Sequence, residues 1–343
     1  MAMSVFPSNT GLSRDTPWEE HLFAHTPVEE RQGLWYKRED YFAPLGYGNI
    51  NGSKLRQLIW LLKNYRDAGG DKGVITGASV LSPQVSMGAL TAAHFGLPIT
   101  VVLGGTKPAT AIKHENVAIA NSVGARFVYN PVGYNPALQK AVERLHDTTE
   151  YEGWFRLHYG ITTGPNETVQ GVEAFHRVGA EQAFNIPDHI TTIGIPAGSC
   201  ISVSSVLYGL ALARPKALKK VVLFGIGPTR LEFIQARLGQ IEAASGVPIR
   251  SLFTHKYAQH PDLEAQHQRN GPITLEHHDL HTTKFSDYQM KMPWSEDGIS
   301  FHPTYEGKMM TYLNRYPDKF PWYHERKGDS LLWIIGSTPR RAA

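Results

Sequence analysis

The sequence predicts an α/β fold of two open, mostly parallel lobes with a cleft between them. Three observations point there. The chain has 343 residues, 41% of them hydrophobic and 19% charged, which supplies two cores more naturally than one. Short apolar runs alternate with helical patterns of about three turns, as parallel βαβ units require. Several of the apolar runs end in small-residue turns that open helices, the geometry that gathers ligands at the carboxyl ends of parallel strands.

The first element is a charged strand, Trp35-Tyr-Lys-Arg-Glu-Asp40, followed by a Gly/Pro-rich loop that ends in Gly48-Asn-Ile-Asn-Gly-Ser-Lys54. Lys54 opens a helix, because Leu55, Leu58, Ile59 and Leu62 fall on one helical face. Residues 74–76 read as a strand, 84–95 as a helix, 99–103 as a strand, 116–123 as a helix and 126–129 as a strand. The alternation returns as a strand over 190–195, a helix through Tyr208 to Ala213, a strand over 220–224 and a helix over 231–244; a strand over 331–335 closes the chain. The expected division is a large domain of residues 1–54 with 159–343 and a small α/β domain of 55–158. Residues 130–138, rich in Asn, Pro and Gly, read as irregular, and residues 253–303 as a long, polar, His-rich covering or interaction segment.

Composition narrows the function classes. The N-terminus lacks a basic start followed by a long apolar stretch, and no run reaches the roughly 18 apolar residues of a membrane span, so neither secretion nor membrane insertion is expected. The one cysteine, Cys200, excludes an intramolecular disulfide and any thiolate cage, which suits a cytoplasmic protein. A net charge of +3 is too small to argue for nucleic acid, although sixteen histidines add charge below neutral pH and leave an anionic partner open.

Four segments carry chemistry. Lys54 places a cation at the unfavourable end of a helix dipole, which solvation or covalent use would each explain. The turn Thr76-Gly-Ala-Ser-Val-Leu-Ser-Pro-Gln84 joins a strand to a helix; Ser82 suits the N-cap and Pro83 the first helical position, and the free N–H groups of such a turn also suit an anion. Ile195-Pro-Ala-Gly-Ser-Cys-Ile-Ser202 repeats that geometry with small residues, without the spacing of a dinucleotide site or the lysine of a P-loop, so a monoester phosphate fits it better. In Pro303-Thr-Tyr-Glu-Gly-Lys308, Tyr305 and Glu306 sit at a helix start, where a carboxylate is also welcome as a plain cap. Glu276-His-His-Asp-Leu-His281 would set His277 and His281 on one helical face, but without further ligands it reads as a solvated polar loop, and no metal is expected. Gly225-Ile-Gly227 resembles a nucleotide loop only weakly.

Together and in this order, these segments resemble the pyridoxal phosphate (PLP)-dependent enzymes of the tryptophan synthase β-like fold, fold type II. The nearest likeness is to the 1-aminocyclopropane-1-carboxylate deaminase and D-cysteine desulfhydrase group. The likeness spans residues 35–337 and is most specific at Tyr36-Lys-Arg-Glu-Asp40, at the segment leading to Lys54-Leu-Arg and at Pro303-Thr-Tyr-Glu-Gly-Lys308. The resemblance implies PLP in the cleft, with Lys54 as its Schiff-base lysine and proton-transfer group. It implies that Gly198, Ser199, Cys200, Ile201 and Ser202 cradle the phosphate, and that Glu306 pairs with the pyridine nitrogen. Tyr305, and Tyr288 as a second tyrosine, would lie near the reacting carbon. Ser82 and Gln84, with Ser79 on the same loop, would receive the substrate carboxylate. Pro83 departs from the pattern where Asn is usual, and Cys200 and Ile201 where Gly or Thr is usual.

The function this resemblance implies is that of a PLP-dependent lyase that labilises a bond to the α-carbon of an amino acid, of deaminase or elimination type. The alternative is a decarboxylase of an amino acid attached to a larger carrier, such as a hypermodified pyrimidine of bacteriophage DNA, since divergent members of the family act in such pathways. A non-catalytic binding protein on the same fold is a further alternative, against which the pairing of Lys54 with Glu306 weighs. The family implies a homodimer.

Overall fold

The computed structural model describes residues 12, 15–45, 50–227, 230–257, 271–280 and 290–336. Two sheets organise them. The larger holds β1 (Val28–Arg31), β2 (Leu34–Arg38), β7 (Thr192–Ala197), β8 (Lys220–Gly225), β9 (Phe253–Tyr257), β10 (Ile273–Asp279) and β13 (Ser330–Ile334), in the order β1-β2-β13-β7-β8-β10-β9. Only its β1–β2 pair is antiparallel. The smaller sheet, wholly parallel, is β5-β4-β3-β6, made of β3 (Val74–Ala78), β4 (Ile99–Gly104), β5 (Arg126–Asn130) and β6 (Phe155–Leu157). A separate hairpin pairs β11 (Trp294–Glu296) with β12 (Ile299–Phe301). This is the α/β architecture expected from the sequence, and β3, β7 and β13 are buried at every residue because helices cover both faces of a parallel sheet.

In each sheet one strand is the point from which later strands are added in opposite directions. In the small sheet it is β3, flanked by β4 and β6; in the large sheet it is β7, flanked by β8 and β13. Such switch points open a crevice beyond the strand ends. The turn after β3 leads into the helix Pro83–His94 and the turn after β7 into the helix Ile201–Ala213. The latter is apolar on nearly every side and is accordingly buried along most of its length. No helix among the described residues is long and apolar enough to cross a membrane.

Residues 253–303 differ from the expectation of an irregular segment. They contain β9, β10 and the β11–β12 hairpin. Glu276-His-His-Asp279 is neither a helical face nor a solvated loop: it lies in β10, between β8 and β9. Histidines occupy inward positions that apolar residues usually fill. His255 and His277 stack at 16° with ring centroids 5.5 Å apart, and their Nδ1 and Nε2 atoms lie 3.2 Å from each other. His281 lies outside the described residues, and among those described no cluster of three His, Cys, Asp or Glu side chains could hold a metal ion.

The charged strand is a buried ionic joint. Arg38 makes a two-pronged contact with Asp40 at 2.9 and 2.8 Å and also donates to Glu29 at 2.9 Å. Glu39 accepts from the Thr26 hydroxyl at 2.7 Å and faces Arg56 at 3.5 Å. Arg56 belongs to the helix Ser53–Asp67 that Lys54 opens; it donates to the carbonyls of His21 and Leu22 at 3.0 and 2.9 Å and lies 3.8 Å over the Phe42 ring. Removing one partner of such a pair strands a buried charge. Asp40→Ala is therefore expected to lower the unfolding free energy by about 3 kcal/mol, whereas Asp67→Ala, which breaks an exposed pair with Lys63, costs under about 1 kcal/mol. Urea denaturation of the two variants checks the contrast.

Candidate active site

Four chain segments meet at the start of the Lys54 helix. Gly52 precedes it at φ 102°, a left-handed conformation that favours glycine. The Ser53 N–H donates to the Ile335 carbonyl at 2.9 Å, just past β13, and the Ser53 hydroxyl donates to Ser202 Oγ at 2.9 Å, in the helix after β7. Gly336 makes the meeting possible: a Cβ there would stand 2.7 Å from Gly52 Cα and 2.9 Å from Asp40 Cα. The fourth segment is the helix Glu306–Arg315, whose first residue is fully buried. Glu306 Oε1 accepts from the Ile335 N–H at 2.8 Å and the Gly336 N–H at 3.2 Å, while Oε2 has no partner among the described residues.

Burial sets the electrostatics. It pushes the Glu306 carboxyl up to about 8, although its backbone hydrogen bonds favour the ionised form. Burial, with Arg237 beside it, lowers the Lys54 ammonium to about 8, so the amine is available near neutral pH. His302, its ring centroid 4.8 Å from that of Tyr305, is lowered by burial to about 3 and stays neutral.

The turn after β7 leaves donors that an anion could take. Cys200 is left-handed at φ 67°, a conformation a side chain ordinarily avoids, and the helix that follows leaves its first N–H groups without intrahelical partners. Gly198 lets the Tyr305 ring approach, since a Cβ would be 2.8 Å from it. Ser199 Oγ is buried and unpartnered among the described residues. The Cys200 thiol, pushed up to about 11 by burial, is no nucleophile.

The turn after β3 is poorer in donors than its sequence suggests. Ser82 caps the helix Pro83–His94, accepting from the Gln84 N–H at 3.3 Å, and Pro83 has no N–H. The Gln84 side chain donates to Thr76 Oγ1 at 2.8 Å and the His158 carbonyl at 3.1 Å, and accepts from the Gly160 N–H at 2.9 Å. Its amide braces the 158–160 segment and is not free for a ligand.

A cleft of about 350 Å³ brings together Lys54, Ser79, Ser82, Gln84, Gly198, Ser199 and Tyr305. A smaller inner cavity is shared by Ser53, Lys54, Cys200, Ser202, Tyr305 and Ile335. Ile201 points into the core, leaving its backbone to face the turn. Glu306 stands behind the inner cavity, joined to it through Ile335, and Tyr288 lies outside the described residues. Sequence reasoning missed Tyr134, Tyr159 and Arg230, which line the outer cleft. The available signals were an aromatic inside the Gly/Pro/Asn-rich turn before residue 135 and an arginine just after Gly225-Ile-Gly227. The site thus offers an amine, a hydroxyl with free backbone donors for an anion, and a buried carboxyl oxygen without a partner among the described residues.

No protein-family model matches the chain. It is 38% identical, over an alignment 367 positions long, to the O-seryl-dTMP PLP-dependent decarboxylase of Salmonella phage ViI, covering 96% of this chain and 85% of that protein. Among solved structures, an ACC deaminase homologue superposes with a TM-score of 0.64 at 20% identity, covering 95% of this chain and 96% of that one. O-ureido-L-serine synthase superposes with a TM-score of 0.53 at 17% identity, over 92% and 89% of the two chains.

The buried Glu306 has a consequence for pH. Its folded-state pKa of about 8 lies above the ordinary 4.5, so the folded chain holds a proton that the unfolded chain releases. Its contribution is fully present below about pH 4.5 and is lost as pH rises through about 8. In ligand-free protein, Glu306→Gln should therefore gain in melting temperature relative to wild type as pH rises across that window. Thermal unfolding across the same range checks the sign.

Proposed function

The chain belongs to the fold type II family of PLP-dependent enzymes, and from that premise we propose that it is a lyase that decarboxylates an amino acid carried on a pyrimidine nucleotide. The site fits the cofactor: Ser199 Oγ and Glu306 Oε2, two of the buried atoms without a hydrogen-bond partner among the described residues, complement a phosphate and a ring N–H. When bound, PLP supplies an electron sink conjugated to the substrate's α-carbon. The 198–202 turn holds the phosphate through Ser199 and its free N–H groups. Glu306 Oε2 would take the ring N–H, while its other oxygen stays tied to residues 335 and 336. Tyr305 lies against the site from the side of Gly198. Lys54 would hold the cofactor covalently until the substrate amine displaces it, and the freed amine, near its pKa at neutral pH, could then deliver the proton that takes the place of the departing carboxyl group at the α-carbon.

The poverty of donors after β3 carries the choice of reaction. Pro83 has no N–H, the Gln84 N–H is bonded to Ser82, and the Gln84 amide is used in bracing. Ser79 and Ser82 line the cleft and remain to orient the substrate carboxylate. A carboxylate held by few donors is less stabilised in its ground state, which favours its loss as CO₂. The phage relative named for decarboxylation of O-seryl-dTMP supports the same outcome. The reading assigns residues 1–54 with 159–343 to the cofactor-carrying domain and 55–158 to the smaller one, and carries with it the homodimer that the family resemblance implies and the cytoplasmic location that the single cysteine suits.

Purified protein given PLP should develop a visible absorption band that Lys54→Ala lacks, and with O-seryl-dTMP it should release CO₂ in step with substrate loss. Ammonia released in place of CO₂ would show elimination and sink the decarboxylase reading. A colourless wild type that takes up no PLP would sink both.

A further inference from the structure

The outer cleft carries groups that an amino acid and PLP leave unused. Tyr134 is 70% exposed and Tyr159 41%, and neither ring packs against another aromatic ring or a cation among the described residues. Both rings nevertheless stand on fixed backbone. Tyr134 precedes the helix Asn135–His146, in a turn pressed onto the end of β4: a Cβ on Gly104 would be 2.6 Å from the Val132 carbonyl oxygen and 2.8 Å from Gly133 Cα. Tyr159 is clamped on both sides, since the Gln84 amide bonds the His158 carbonyl and the Gly160 N–H. Across the cleft, Arg230 donates through Nε and Nη2 to the Ile226 carbonyl at 3.2 and 2.9 Å and pairs with no carboxylate among the described residues. Its guanidinium lies over Gly227, at φ 105°, where any Cβ would collide with it.

We propose that Tyr134, Tyr159 and Arg230 form a nucleotide subsite, the tyrosines taking the planar base and Arg230 the phosphate. Aromatic faces recognise a base by stacking, and a guanidinium with donors to spare recognises phosphate by charge-assisted hydrogen bonds. A free amino acid would use neither. This inference rests on the nucleotide-borne substrate proposed above and adds the residues that select it. The nucleotide is either a free monophosphate or one residue of a DNA strand.

The test is equilibrium dialysis of the PLP-loaded protein with dTMP, thymidine and a short oligothymidylate. Arg230→Gln should weaken dTMP binding by about tenfold or more and leave thymidine unchanged. Tyr134→Ala and Tyr159→Ala should each weaken both ligands roughly fivefold or more, with the Phe variants restoring them. Tighter binding of the oligonucleotide, weakening steeply with salt, assigns the source to a strand; equal binding assigns it to the monophosphate, and either supports the subsite. The proposal is overturned if wild type releases CO₂ from O-seryl-dTMP yet binds no dTMP, or if Arg230→Gln loses the visible cofactor band, which would give the arginine to the cofactor phosphate. Binding of dTMP without CO₂ release would uphold the subsite and refute decarboxylation instead.

Discussion

The peptide at Ile335 is the constraint on which the site depends. Its N–H is taken by Glu306 and its carbonyl by the Ser53 N–H, while the Ser53 hydroxyl reaches Ser202. One peptide at the end of β13 thus ties the carboxyl, the Lys54 helix and the turn after β7 into a single hydrogen-bonded line. The approach is so close that Gly336 cannot carry a side chain without displacing the backbone at Gly52 and Asp40. The position of Lys54 is set by contacts of its neighbours, which leaves its own amine uncommitted among the described residues.

Lys54 and Glu306 are moved toward each other's range from opposite sides. Burial lowers the ammonium and raises the carboxyl, and both arrive at about 8. Neither is held in its charged form by a direct opposite charge, so their protonation answers to whatever enters the cleft. The charged strand behaves otherwise. Arg38 is hydrogen-bonded to Asp40 and Glu39 faces Arg56 at 3.5 Å, so each of these buried charges has an opposite charge beside it, under the same helix. A fixed ionic joint beneath a pair of adjustable groups is how the chain combines a precise site with groups that titrate near neutral pH.

Much of this was legible in the sequence. Apolar runs such as Ile99-Thr-Val-Val-Leu103 sit in strands buried on both faces, so their pattern was unmistakable, and the turns at Ser82 and Ser199 announced themselves by residue type. The region from 253 to 303 was not legible, because His255, His277 and Asp279 occupy inward strand positions and disguise the alternation. Glu306 could be read as a helix-start carboxylate, but its bonds to the end of β13 join residues 29 and 30 apart. Tyr134, Tyr159 and Arg230 come from separate turns that only the two-sheet arrangement brings to one cleft. Gln84 was misleading for the same reason: its partners lie in segments that no local pattern connects to it.

Cys200 has a practical consequence. The chain's one sulfhydryl is buried in a strained turn, with its ionisation suppressed, so thiol-directed reagents should pass the native protein by. A cysteine introduced at the exposed Val132, beside the mouth of the cleft, would then be the sole point of attachment for a fluorophore or spin label. The fold comes ready for optical and magnetic-resonance reporting of what occupies the cleft, with no background to engineer away.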